Sequence, residues 1–309
     1  MDGILNVLKP PGMTSFDVIA LLRGMLGTRK IGHAGTLDPL ATGVLPVCAG
    51  RATRAIEFMM EKDKFYRAEL TLGITTDTQD STGKKISSAE PACTDEDIRA
   101  SVSSFIGKYM QLPPMYSALR IDGRRLYDLA REGAEVERER REVEIYSAEV
   151  IDIDRSNGLH VLIDVHCSKG TYIRTLCADI GESLGCGGHM SFLLRKRAGP
   201  FEIASSVTLE ELERRKRESS LESVLLDPDI VFKQFDSYRL SEAEEKKFRN
   251  GVEIEVGHRD RDLVPAEMGQ GPCPCVPLRV YGAAGNFTAL GTIHKTDGTW
   301  RLKVKKFFI

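Results

Sequence analysis

The sequence predicts an α+β protein with one larger and one smaller domain in 309 residues. Three observations carry that expectation. Apolar and polar residues alternate through "YRAELTLGI" and "LHVLIDVHC", the period of half-buried strands. Between them lie runs with apolar residues at helical spacing, opened by Thr-x-x-acid capping boxes. Beyond a break at Pro228 the chain reads as short strands around one capped helix.

"TSFDVIALLRGMLG" starts with a box from Thr14 to Asp17, carries Val18, Leu21, Leu22, Met25 and Leu26 as its stripe and stops at Gly27, so a helix is expected. The strand at Tyr66 turns Tyr66, Ala68, Leu70, Leu72 and Ile74 to the core, and Arg67, Glu69 and Thr71 away. "TDEDIRASVSSFIG" repeats the helix signal with a box from Thr94 to Asp97 and Ile98, Val102, Phe105 and Ile106 inward. Residues 111–144 are rich in Pro, Gly and charge, with a short helical pattern over Leu126 to Arg131, and are expected to form an extended, partly mobile excursion. Leu159, Val161, Ile163, Val165 and Cys167 then mark one face of a second strand. After "SKG" the period becomes helical, with Ile173, Leu176, Cys177, Ile180 and Leu184 ended by Gly185, which places Tyr172 and Arg174 on the first turn of a helix following a strand. A charged helix with a box from Thr208 to Glu211 precedes "LLDPD", and the expected domains are 1–232 and 233–309. The tail holds a helix ending at Gly251, a hairpin at Asp297-Gly298, and the loop-like insert "HRDRDLVPAEMGQGPCPC".

Composition narrows the class. A 41% hydrophobic chain can bury an ordinary core. No run nears the ~20 apolar residues that span a bilayer, and no signal-peptide pattern opens the chain, so a cytoplasmic protein without membrane contact is expected. Seven irregularly spaced cysteines suggest reduced thiols, and Cys273-Pro-Cys275 lacks further ligands, so no metal is expected. A net charge of −2 gives no global pull on polyanions, which leaves local patches to bind any nucleic acid. Arg195, Lys196 and Arg197 form one such cluster; Arg120, Arg124, Arg125 and Arg131, interleaved with Tyr116 and Tyr127, form another; Lys295, Arg301, Lys303, Lys305 and Lys306 form a third. Each is either a solvated face or an RNA contact.

One stretch concentrates the chemistry. "RKIGHAGTLDPLATGVLPVCAG" sets Asp38 alone among glycines, threonines and apolar residues, with Pro39 biasing it out of helical geometry. Such an aspartate is a turn or helix cap, or a nucleophile or electrostatic stabiliser that needs a fixed cation to stay ionised under substrate. Arg174 is the candidate cation, or else an ordinary structural ion pair. Tyr66 and Tyr172 can each face a base or pack in the core. His33 is a phosphate or base contact, a general base, or a satisfied turn histidine; Lys9 holds the "KPPG" turn or faces a phosphate.

Four motifs in this order, "GHAGTLDPLATGVLPVCAG", "KFYRAELTLGITTDTQD", "QLPPMYSALRIDGRRLYDLAREG" and "HCSKGTYIRTLCADIGESLGCGGH", closely resemble the TruB family of bacterial tRNA pseudouridine synthases over about residues 3 to 228. The tail resembles the PUA RNA-binding module. The resemblance implies the pseudouridine synthase fold, a mixed and largely antiparallel sheet flanked by helices, followed by a small mainly-β PUA-like domain. It implies a monomeric isomerase without cofactor or obligate protein partner that converts uridine 55 in the T-loop of tRNA, gripping the T-arm stem-loop with residues 111–144 as a thumb. The alternative within this fold is a non-catalytic tRNA-binding chaperone. On this likeness Asp38 is the nucleophile, Arg174 its ion-pair partner, and Tyr66 stacks on the target base. His33, Tyr172 and Leu193 line the uridine site, and Lys9 and Asp80 belong to the supporting polar network.

Overall fold

Two β-sheets organise the chain, of which a computed structural model describes residues 1–117, 119–121, 123–134, 136–257, 263 and 276–308. The larger has nine strands: β1 (Gly3–Lys9), β2 (Ile31–His33), β3 (Thr42–Ala49), β4 (Lys64–Leu72), β5 (Gly107–Gln111), β6 (Arg141–Asp154), β7 (Leu159–Cys167), β8 (Gly188–Ala198) and β9 (Phe201–Glu202). Their order is β1-β3-β8-β4-β7-β6-β5, with β2 on β3 and β9 on β8. Among the described residues all these pairings are antiparallel except β3 with β8, where Thr42 and Gly43 lie opposite Leu194 and Arg195. The sheet is thus mixed and largely antiparallel.

Helices α1 (Ser15–Leu26), α2 (Ile56–Met60), α3 (Asp95–Ser104), α4 (Leu126–Arg131), α5 (Ile173–Ser183) and α6 (Leu209–Arg217) flank it. The main core joins α1, α3, α5 and α6 to the face of the sheet bearing Leu5, Val7, Ala68, Leu70, Val161 and Ile163. In α1 both arms of the Thr14–Asp17 box form, and Gly27 closes the helix in the left-handed conformation. Its buried stripe is Val18, Ile19, Leu22 and Leu26; Leu21 is 43% exposed, so the stripe is rotated from the expected one toward Ile19. Full burial of Leu22 contributes about 1.5–3 kcal/mol.

Three further details differ from the sequence pattern. Ile74 leaves β4 because Gly73, at φ +87°, turns the chain into a separate hairpin of residues 74–76 and 85–88. Ile106 is exposed, since α3 stops at Ser104 and the chain turns outward at Gly107. Thr208 caps α6 through the Glu211 N–H, but the Glu211 carboxylate is held by Arg214 and Arg215 and the box is half made. Residues 111–144 hang from the β5–β6 ladder and contain a two-residue-strand hairpin (Arg120–Ile121 with Arg124–Arg125) and α4.

The second sheet has order β10-β12-β13-β14-β11, from β10 (Ser237–Arg239), β11 (Ile254–Glu255), β12 (Val276–Tyr281), β13 (Phe287–Thr296) and β14 (Thr299–Phe307), with α7 (Glu242–Arg249) beside it. Asp297 and Gly298 both have positive φ in the tight turn from β13 to β14, as a two-residue hairpin of this composition requires. An aromatic cluster fastens this sheet to the back of the larger one: Phe232 meets Phe58, Phe287 and Phe308 with ring centroids 5.1, 6.0 and 5.6 Å apart. The insert 258–275, with Cys273 and Cys275, lies outside the described residues apart from Leu263. The described cysteines, Cys48, Cys93, Cys167, Cys177 and Cys186, are free thiols. Among the described residues no helix is long and apolar enough to cross a membrane.

Candidate active site

The Asp38 loop joins β2 to β3 and is pinned from three sides. Leu37 and Ala41 sink into the core on either side of Asp38, 3% and 0% exposed. The Ser15 hydroxyl accepts from the Leu37 N–H at 2.9 Å and donates to the Leu37 carbonyl at 3.1 Å, tying the loop to the first residue of α1. Lys9 is fully buried beneath it, its ammonium donating to the carbonyls of Pro10 (2.9 Å), Met13 and Pro39 (3.4 Å). Of its two sequence readings, Lys9 holds the turn; burial pushes the pKa of its amine down to about 8, against the opposing pull of Asp38.

Arg174, on the first turn of α5, is the centre of the site. Its Nε meets Asp38 Oδ2 at 2.9 Å and its Nη1 lies 3.5 Å from Asp80 Oδ2. Nη1 also donates to the Thr78 carbonyl at 3.1 Å and Nη2 to the Tyr116 carbonyl at 2.8 Å. Asp80 is fixed in turn: its Oδ1 accepts from the Thr78 hydroxyl and from the N–H and hydroxyl of Thr82. The side chains of Arg174 and Asp80 are 6% and 8% exposed, whereas that of Asp38 is 36% exposed. Asp38 is therefore the member of this trio that a ligand can touch. Burial raises its pKa above the ordinary aspartate range, with the Arg174 guanidinium opposing and the Asp80 charge adding to the shift.

Tyr66 stands on β4 opposite Arg195 of β8 and Val165 of β7, nearly buried, within electrostatic reach of Asp38. Tyr172 is the N-cap residue of α5 rather than part of its first turn; Ser117 faces its hydroxyl, and Arg174 and Asp38 are its charged neighbours. Leu193, opposite Ala68, lies on the same sheet face as Tyr66, two residue pairs along. His33 sits on β2 beside Gly35 and Arg195, and burial and that cation push its imidazole below the usual value, toward the neutral form. The structure thus gathers Asp38, Arg174, Asp80, Lys9, Tyr66 and Tyr172 into one electrostatic neighbourhood, with His33 and Leu193 at its border.

The cluster of Arg195, Lys196 and Arg197 is corrected by the structure, because strand alternation splits it. Arg195 is 1% exposed, Lys196 joins Arg67 on Asp164, and Arg197 pairs with Asp63. In the tail, Lys306 pairs with Glu57, Lys303 lies 3.7 Å from Glu253, and Lys305 and Lys295 lie over the rings of Phe58 and Trp300. In the excursion Arg124 pairs with Glu132.

Gln111 escaped the sequence reading. Its buried amide accepts from the Tyr172 N–H at 2.8 Å and donates to the Tyr172 carbonyl at 3.0 Å, holding the entry to α5 as a neighbouring strand would. A polar residue on the inward phase of "GKYMQ", with Gly107 and Tyr109, is the signal that could have found it. Gln111→Leu is expected to leave the Tyr172 N–H unpaired, while its carbonyl keeps the Leu176 N–H at 3.0 Å, and to lower unfolding stability by about 1–3 kcal/mol. A urea midpoint equal to that of the native chain would remove this role.

Comparison with known proteins comes to bear here. Residues 23–173 match the TruB family pseudouridylate synthase N-terminal domain, and residues 174–233 the tRNA pseudouridylate synthase B C-terminal domain, so the family match ends before the five-stranded sheet. The tRNA pseudouridine synthase B of Alkaliphilus oremlandii is 48% identical over 273 residues, 88% of this chain and 89% of that one. That of Clostridioides difficile is 41% identical across 100% of both chains. Among solved structures, a chain in the crystal structure of a Cbf5-Nop10-Gar1 complex has a TM-score of 0.72 at 26% identity, covering 99% of this chain and 85% of that one.

Proposed function

Because this chain belongs to the TruB family of pseudouridylate synthases and is thus an isomerase acting on tRNA, we propose that it converts uridine 55 in the T-loop, using Asp38 as its nucleophile and no cofactor. The observation that carries this reading is the trio of Asp38, Arg174 and Asp80, in which one carboxylate is open to a ligand and the other two groups are buried and committed to holding it.

The reaction breaks the bond between uracil N1 and ribose C1′, turns the base and joins C5 to C1′; the C5 proton leaves and N1 gains one. Nothing is oxidised and no group is transferred to another molecule. One ionised carboxylate suffices, whether it attacks the sugar, attacks the base or removes a sugar proton on a glycal route. Arg174 keeps Asp38 charged when the substrate displaces water, a role that gains strength in a drier site. Tyr66 offers its ring to the everted base, Tyr172 and Leu193 line the pocket, and a neutral His33 contributes a hydrogen bond.

Everting a uridine from the T-loop costs a few kcal/mol of unstacking, offset by these contacts and by backbone contacts from the thumb and the tail. The T-arm is the element that the excursion of residues 111–144, rooted in the β5–β6 ladder, would grip.

The test is C5-tritium release from an unmodified tRNA transcript, compared with one carrying cytidine at position 55. Release is expected only from the first. Its single-turnover rate should fall as pH drops through a value above the ordinary aspartate range, since the raised Asp38 must lose its proton to act. Equal release from both transcripts would refute the position, and a rate flat down to pH ~4 would refute the role of Asp38.

A further inference from the structure

Arg195 is the largest fully buried side chain, 1% exposed, and no carboxylate meets its guanidinium among the described residues. Its Nε donates to the Val44 carbonyl at 2.7 Å, Nη2 to the Gly35 carbonyl at 3.0 Å and Nη1 to the Thr36 carbonyl at 3.4 Å. Val44 is the third residue of β3, which leaves the Asp38 loop, and Gly35 and Thr36 lie near the start of the loop. Arg195 also stands directly opposite Tyr66 in the β4–β8 register, so the guanidinium lies within electrostatic reach of the phenol.

The glycines of "HAGTLDPLATG" make room for this arrangement. Gly43, at φ +114°, lies so close to Arg195 that a Cβ there would stand 2.3 Å from its carbonyl oxygen. Gly35, whose carbonyl accepts from Nη2, adopts φ +100°, a backbone conformation that a side chain would strain. Burying a charge without a counter-ion is costly, and a planar fork that satisfies several acceptors at once is the side chain suited to it. Hydrophobic residues of equal volume would fill the space but could not hold carbonyls of both loop ends.

We propose that Arg195 is a positioning residue for the reaction: it ties the segments on both sides of the Asp38 loop to β8 at the register position directly opposite Tyr66 on β4, and so fixes carboxylate and ring relative to each other without touching RNA. This rests on the uridine-site reading above. It predicts a loss in the chemical step that exceeds any loss in tRNA affinity.

The experiment measures single-turnover tritium release and tRNA affinity for the native chain, Arg195→Lys and Arg195→Gln, each checked by thermal melting. Arg195→Lys keeps the charge and loses the fork; Arg195→Gln keeps a planar donor and loses the charge. The expected result is a folded Lys variant that binds tRNA within about threefold of the native chain and reacts about 100-fold more slowly, with Gln slower still. A Lys variant with native turnover, or a slowed one whose affinity falls in proportion, overturns the proposal. So does loss of fold in both variants, which would make Arg195 a purely structural residue. If the native chain releases no tritium, the uridine-site reading has failed instead, a result distinct from any of these.

Discussion

Asp38→Asn is expected to bind unmodified tRNA about as tightly as the native chain and to form no pseudouridine. The substitution is nearly isosteric, leaves Leu37 and Ala41 anchored in the core, and removes only the charge that faces the open side of the site. An amide is neither a nucleophile nor a base at neutral pH, so the single-turnover rate should drop by about 10⁴-fold or more. Binding should hold, since the substitution preserves the shape of the side chain and, on the proposed reading, Asp38 acts on the bound uridine and does not grip the RNA backbone. Tritium release and filter binding measured on one preparation decide the matter: substantial product from the Asn variant would remove Asp38 as the reacting group.

Arg174→Lys should keep the positive charge and still slow the reaction by about 100- to 1,000-fold. Arg174 serves four acceptors in different directions: Asp38, Asp80, and the carbonyls of Thr78 and Tyr116. An ammonium on a shorter stem cannot reach all of them, and whichever it abandons is left buried. The Lys variant is therefore expected to lose both turnover and some thermal stability. Native turnover in that variant would show that charge alone suffices and that the fork has no part.

Much of the main sheet and of the site was legible in the chain itself. Alternation placed Tyr66 and Val165 on core-facing phases, and the change of period after "SKG" put Arg174 on an opening helical turn beside a strand end. The isolation of Asp38 between Gly35 and Gly43 marked it as the group to question. Other features were misread because local patterns do not contain them. "RKR" looked like one basic patch, yet a strand sends neighbours to opposite faces, so Arg195 goes into the core while Lys196 goes to Asp164. Leu21 and Ile106 looked like core residues, yet the rotation of α1 and the end of α3 leave them in solvent.

The order of residues alone determined which segments are strands and helices, which groups could carry charge-based chemistry, and how little chemistry one carboxylate allows. The fold decided which of those groups meet. Arg174 is most of a domain away from Asp38 along the chain yet 2.9 Å from it in space, and Gln111 reaches Tyr172 across 61 positions. Such meetings depend on sheet order and register, above all the parallel β3–β8 contact that sets Arg195 against the Asp38 loop. Hydrophobic periodicity states only that a face is buried, whereas the position of a guanidinium against a given carbonyl is fixed by the packing of every strand between them.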